Sequence, residues 1–374
     1  MAGTAMERAR FRSLDVFRGM AICLMIVVNT PGAGSEPWPV LDHADWFGFT
    51  AADIVFPSFL FAVGNAMAFG NFKAMEEAEF WKKTLRRTAI IIALGILFHW
   101  FPFGRMTDHG WVFRPWSEVR IPGVLQRIAL CYCFAAIAAR YLNPRGLLAL
   151  SAGLLLGYWA LLLVTEPPDL ALTKLGNIGN AVDRAVFGVA HLYHRDHDFD
   201  PEGLPGTLSA IVNVIFGYLA GLYARRHGAS RQVALRYLGI GVALFAAALI
   251  WNPFFPIGKK LWTSSFVLLT VGIDLIVLAG LIAWIDLGRH KFGVRFFEIF
   301  GRNPIFIYIF AIILERAVNA IPAGDENLWH WLGKSVIQPQ LPGPAGSLLG
   351  AIIFMLACWL MAWALDRRNI VIKV

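Results

Sequence analysis

Charge is what this chain has least of: Asp, Glu, Lys and Arg make up 16% of its 374 residues, against about 25% in a soluble globular domain. A soluble fold of this length needs polar side chains over its surface, and a chain that is 57% hydrophobic is short of them. Cysteine is scarce too. Cys23, Cys131, Cys133 and Cys358 all fall within long apolar runs, which argues against a disulfide framework and leaves them as small buried residues. There is no GxGxxG and no P-loop, so neither a Rossmann cofactor nor nucleotide hydrolysis is supported. No low-complexity linker and no internal repeat divides the chain, which reads as one domain over 1–374. The first apolar run contains Asp15 and Arg18, and no small-residue cleavage site follows it. It reads as a retained helix rather than a cleaved signal.

What the chain has in abundance is apolar segments of helical length. Ten windows stand out, at 14–31, 52–70, 86–101, 121–139, 147–165, 207–224, 236–252, 262–285, 299–317 and 346–365. About 20 residues of helix cover a hydrocarbon core of about 30 Å, and helix satisfies every backbone polar group internally. The runs do not alternate as barrel strands would. The expected fold is therefore an all-α integral membrane bundle of about ten transmembrane helices. Of the 33 Lys and Arg residues, 20 fall in one alternating set of segments (Arg8, Arg10, Arg12; Lys73 to Arg87; Arg140, Arg145; Arg225 to Arg236; Arg289 to Arg295; Arg367, Arg368, Lys373) and 10 in the other. The first set is cytoplasmic by the positive-inside rule, which places both termini in the cytoplasm. That bias explains the formal charge of +8 without any nucleic-acid partner.

Three outer loops are long, about 31–51, 166–206 and 318–345, and the first is the richest in chemistry. There His43 stands between Asp42 and Asp45 and beside Trp46, with Asp53 opening the second window. A carboxylate can hold one imidazole nitrogen protonated and leave the other as a base. Against that stands an interfacial histidine packed on an indole. Ionisable residues inside spans carry function by default. Asp15 and Arg18 can pair at i,i+3. For Asp15, Arg18 and Asp53 the alternative is a structural polar network between helices. Arg127 after Gln126, and Arg302 before Asn303, suit phosphate or carboxylate recognition. Asp274 has no evident partner. The loop from His191 to Asp200 holds three histidines and three aspartates, but its spacing matches no metal signature and it reads as a solvated loop with no metal. Its His191-x4-Asp196 spacing reads as chance.

Several stretches, in order, resemble the heparan-α-glucosaminide N-acetyltransferase family, bacterial members included. They are Arg12-Ser13-Leu14-Asp15-Val16-Phe17-Arg18-Gly19, Val28-Asn29, His43-Ala44-Asp45-Trp46 running to Ala52-Asp53-Ile54-Val55-Phe56-Pro57, Arg120 to Arg127, Asp200-Pro201-Glu202-Gly203, Lys260-Leu261-Trp262-Thr263-Ser264-Ser265 and Gly301-Arg302-Asn303-Pro304. The resemblance implies a transmembrane acyltransferase that takes acetyl-CoA from the cytoplasm and acetylates an amino sugar on the far side. It implies a multi-pass protein of the bacterial inner membrane, in contact with lipid and forming a homodimer. His43 matches the family's active-site histidine, and Asn29 the asparagine near the acetyl group. On this basis His43 is the general base, or else carries the acetyl group, with Asp42 or Asp45 orienting it and Asn29 facing the oxyanion. Arg18, Arg127, Gln126, Arg302, Asn303 and Trp262 are expected at coenzyme A. Trp46, Asp53, Asp200 and Glu202 are expected at the sugar. The N-terminal extension and leading helix of the lysosomal members have no counterpart in this sequence, and Phe47 stands where the lysosomal enzyme has Asn. Two other readings stay open: a transporter of N-acetylglucosamine, and O-acetylation of an envelope glycan.

Overall fold

The computed structural model describes residues 11–107, 110–167, 169–196 and 198–372. Arg8, Arg10 and Lys373, named above, lie outside the described residues, as do His197 of the 191–200 loop and the side chains of the outer Arg105 and Arg195. Helices dominate: α1 Arg12–Asn29, α2 Val55–Met67, α3 Glu77–Trp100, α4 Val124–Tyr141, α5 Pro144–Thr165, α6 Ile178–Phe187, α7 Leu204–His227, α8 Arg231–Trp251, α9 Ser264–Leu281, α10 Val294–Arg302, α11 Pro304–Ala320, α12 Leu328–Trp331 and α13 Pro344–Arg367. Among the described residues the strands are confined to two small antiparallel hairpins, β1 Gly104–Thr107 with β2 Gly110–Phe113, and β3 Pro322–Ala323 with β4 Glu326–Asn327.

A helix occupies each of the ten apolar windows. Six helices are long and apolar enough to cross a bilayer: α4, α5, α7, α8, α9 with its continuation to Leu287, and α13. The α10–α11 pair adds a seventh if its two parts, bent by 86° at Asn303-Pro304, are taken together. Proline restricts the residue before it to non-helical backbone, so the break falls where the sequence puts Pro304. The other three are less apolar or shorter. Helix α1 carries Arg12, Asp15 and Arg18, α3 carries Lys83, Arg86 and Arg87, and α2 is 13 residues long.

Burial sorts the bundle into layers. The spanning windows of α4, α7 and α9 are 67%, 72% and 67% buried, whereas those of α5, α8 and α13 are only 28%, 28% and 33% buried. The outer helices are apolar on their exposed faces, as lipid contact requires. Inner helices approach through glycine. A Cβ on Gly64 would lie 2.0 Å from the Val214 carbonyl oxygen, and one on Gly217 would lie 2.0 Å from that of Phe61, so α2 and α7 cross on a reciprocal glycine pair. Gly19 of α1 and Gly301 of α10 do the same, against Phe297 and Asp15.

Both described ends of the chain meet at one end of the bundle. Arg12 pairs with Glu298 at 2.8 Å and Arg302 with Asp366 at 2.5 Å. The Asn303 amide donates to the Ile370 carbonyl at 3.0 Å, and its oxygen accepts from Ile372 N–H at 2.8 Å. The long loops and both hairpins gather at the opposite end. Since the α2–α7 crossing admits no side chain, Gly217→Leu is expected to destabilise the protein by about 1–3 kcal/mol. A lowered midpoint of thermal unfolding in detergent would show this, with Gly239→Leu, whose Cβ would meet open space, as the control.

Candidate functional site

At the loop-bearing end lies a cavity of about 1220 Å³. Its wall includes Met25 and Asn29 from α1, Asp42, His43 and Asp45 from the first loop, and Phe56 from α2. Phe98 and His99 of α3, Gln126 of α4, and Tyr308, Glu315 and Arg316 of α11 complete the bundle side. Arg120, Tyr193, Glu202, Lys259 and Lys260 come in from the connecting segments.

His43 stands at the centre of the polar part. Its Nδ1 lies 2.9 Å from Asp53 Oδ1, and Asp53 is fully buried. The other oxygen of Asp53 accepts backbone N–H groups of Thr50 at 3.0 Å and of Ala44 at 3.3 Å, a capping arrangement at the short helical turn Ala51–Ile54. The carboxylate thus ties together the two ends of the loop that carries the histidine. With Nδ1–H directed at Asp53, Nε2 keeps its lone pair. The carboxylate that orients the ring is therefore ten residues on from His43, at Asp53. Asp42 accepts the backbone N–H of His43 at 2.8 Å. Asp45 lines the cavity with no hydrogen bond to it among the described residues.

A third group completes the centre. Lys259 Nζ lies 3.0 Å from each ring nitrogen of His43 and 3.8 Å from Asp53 Oδ1. Burial pushes the Lys259 ammonium down to about 8, against the pull of Asp53 and Glu202. The lysine is delivered by a tightly bonded turn. Gly48 N–H donates to the Ile257 carbonyl at 2.8 Å, Thr263 N–H to Gly258 at 3.1 Å, and Trp262 N–H to Lys259 at 2.9 Å. Phe47 and the Trp46 carbonyl close on Gly258 at distances that leave no room for a Cβ. Lys259 is one of the ten Lys and Arg residues of the outer set, and its sequence position gave it no role. The signal that marks it is its adjacency to the Lys260–Ser265 run.

The segment read as a solvated loop is packed down. Asp200 is 3% exposed, and both its oxygens receive Arg120, at 2.8 and 2.6 Å, while Glu202 also pairs with Arg120. The charges of Arg120 and Arg127 hold Glu202 below the usual carboxylate range even though burial pushes the other way. Asp196 bridges Lys174 and Lys260, which hold it down likewise against burial. His191 meets the Val119 carbonyl at 2.7 Å and His194 meets Asp198 at 2.6 Å. The acids and histidines thus face separate partners, and among the described residues no group of three could hold a metal ion.

The remaining candidates divide. Gln126 is on the cavity wall, but its two amide atoms are buried beside Gly95 and Gly123 with no hydrogen bond. Arg127, 1% exposed, lies behind the wall, donates to the Gly203 carbonyl at 2.9 Å and sits 5.0 Å from the Trp262 ring. Trp262 packs edge-on against Phe56. Trp46 is not on the cavity wall; its indole donates to Leu172 at 2.9 Å and fastens the first loop to the 166–203 segment. Arg18, Arg302 and Asn303 lie at the far end, where Arg18 pairs with Asp15 at 2.8 Å and donates to the Gly301 carbonyl at 2.7 Å. Asp274, also outside the cavity, takes the Ser58 hydroxyl at 2.5 Å.

Fold and site together define a helical membrane protein with a histidine–carboxylate–lysine centre at one end of its bundle. Comparison with known proteins then shows what the chain is similar to. Residues 10–183 match the family described as "Heparan-alpha-glucosaminide N-acetyltransferase, catalytic". The chain is 28% identical over 367 residues to the human heparan-alpha-glucosaminide N-acetyltransferase, covering 82% of this chain and 53% of the human one. It is 26% identical over 365 residues to the mouse protein, covering 82% and 54%. Over residues 10–183 the chain is similar to this family, and it spans about half the length of the curated relatives it matches. His43, Asn29 and Asp53 fall inside the matched catalytic segment, whereas Lys259 lies beyond it.

One group outside the cavity gives a stability test. Burial pushes Asp183, which accepts Leu204 N–H at 2.8 Å, from 3.8 up to about 7. A carboxyl raised in the folded state contributes stability that is full below its unfolded value and is lost as pH rises through its folded one. Asp183→Asn keeps the acceptor oxygen and removes the titration. It is expected to flatten the decline in unfolding temperature between about pH 4 and 7 that the unsubstituted protein shows.

Proposed function

We propose that this protein is a transmembrane acetyltransferase that moves an acetyl group from the thioester of acetyl-CoA to the amine of glucosamine or a glucosamine-containing sugar. The single observation that carries the reading is the His43–Asp53 pair, with the imidazole on the wall of a cavity large enough for two substrates. Asp53 holds the ring by Nδ1. Nε2 takes the proton of the attacking amine as the C–N bond forms, acting as general base. Asn29, at the last turn of α1 and on the same wall, makes no side-chain hydrogen bond among the described residues, so its amide can donate to the developing oxyanion. Asp45, equally uncommitted and two residues from the base, offers a counter-charge to an amino-sugar cation.

The donor fits the rest of the cavity. Gln126 lies on the wall where an amide-bearing thioester arm would pass, and Met25, Phe56 and Phe98 give that arm an apolar wall. Arg18, Arg302 and Asn303 are already engaged at the opposite end, so the reading rests on the cavity and not on them. In this reading ten helices cross the bacterial inner membrane, both termini are cytoplasmic, and the cavity opens to the non-cytoplasmic side. The protein acts as a homodimer embedded in lipid.

The purified protein in detergent is expected to release free thiol from acetyl-CoA when glucosamine is added, and not with a neutral sugar. Thiol release with the neutral sugar would move the reading to O-acetylation. Counterflow of sugar in vesicles without thiol release would replace it with transport. His43→Ala is expected to abolish transfer, and Asp53→Asn and Asn29→Ala to lower kcat by about 10²-fold or more. Full transfer by His43→Ala would remove the base.

A further inference from the structure

The His43–Asp53 pair accounts for one proton of the reaction, and amide formation from a thioester moves two. The acceptor nitrogen gives one up, and the departing sulfur needs one. The cavity wall holds a second proton-bearing group in contact with the first: Lys259 Nζ, 3.0 Å from both ring nitrogens of His43 and 3.8 Å from Asp53. We propose that Lys259 is the general acid of the reaction, protonating the leaving thiolate, and that its contact with His43 returns the proton after each turnover. This rests on the acetyltransferase reading and deepens it.

Atoms and charge balance without an outside reactant. The thioester C–S bond breaks and the amide C–N bond forms. His43 Nε2 accepts the proton from the attacking amine. Lys259 gives a proton to sulfur, which leaves as a free thiol. The imidazolium then passes its proton across the 3.0 Å contact to the Lys259 amine, restoring both groups. One buried carboxylate, Asp53, neutralises a single cation, which favours having either the imidazole or the amine protonated but not both.

The surroundings suit a donor working near neutrality. Facing Lys259 are His43 with Asp42 and Asp45 on the first loop, Asp53 from the Ala51–Ile54 turn, and Glu202 in its pairing with Arg120. Its neighbour Lys260 is committed to Asp196 at 2.7 Å. Burial brings the Lys259 amine to about 8, close to a thiol's range and far below an exposed lysine. The turn at 257–263, bonded to residues 46–48, holds the side chain in place.

A general acid is needed only by a poor leaving group. Lys259→Met is expected to lower kcat by about 10²-fold or more with acetyl-CoA, and by far less with the acetyl thioester of 4-nitrothiophenol, whose thiolate leaves without a proton. His43→Ala should be impaired on both donors. The fall in rate of the unsubstituted protein above about pH 8 with acetyl-CoA should be absent from Lys259→Met. If the methionine variant does not fold, Lys259→Arg serves in its place, because arginine keeps the cation and does not release its proton. An equal loss on both donors, or none on either, overturns the general acid and leaves the acetyltransferase standing. Absence of transfer by the unsubstituted protein from either donor overturns both together.

Discussion

One buried negative charge organises this end of the molecule. Asp53 has no water to stabilise it, so its two oxygens must be met by protein, and the groups that meet them are those the site needs. The backbone of Thr50 and Ala44 occupies one oxygen, which ties down both sides of the first loop. The imidazole of His43 takes the other, and Lys259 arrives from a turn more than two hundred residues away. Orientation of the base, its tautomer and the position of the second proton carrier all follow from satisfying that carboxylate.

The rest of the cavity is held by similar pairings. Arg120 gathers Asp200 and Glu202, and Asp196 gathers Lys174 and Lys260, so charge pairs close the long 166–203 segment onto the bundle together with apolar contacts of Leu172, Ile178 and Phe199. Truncating one partner of such a buried pair costs more than the pair itself contributes, because a charge is left without water or counter-ion. Below this layer the bundle depends on shape. Glycines at 64 and 217, and at 19 and 301, let backbones touch where in lipid there is little hydrophobic drive to bring helices together.

Much of this was legible in one dimension. The low charge and the ten apolar windows pointed to a helical membrane protein because lipid demands long runs with satisfied backbones, and each window holds a helix. His43 stood out because it lies among acids at the mouth of a span. The partner of its ring was less legible. Asp42 and Asp45 are its neighbours in sequence, yet the loop turns so that Asp53 reaches Nδ1, and that depends on how the Ala51–Ile54 turn is capped. The 191–200 loop looked solvated by composition; its Asp196 and Asp200 are buried because arginine and lysine from other segments neutralise them, while Asp198 stays partly exposed beside His194. Arg18, Arg302 and Asn303 looked like anion ligands, and the structure pairs them with Asp15, Asp366 and the chain's own last residues at the end away from the cavity.

By itself the sequence determined the solvent this protein folds in and the family it resembles, because hydropathy and ordered short motifs are properties of the linear chain. Only the tertiary structure decided which of many acidic and basic residues share a site. Electrostatic pairing acts through space over a few ångströms, and a lysine 216 positions from its histidine becomes its closest cation only once α2 and α9 have packed and drawn their leading turns together.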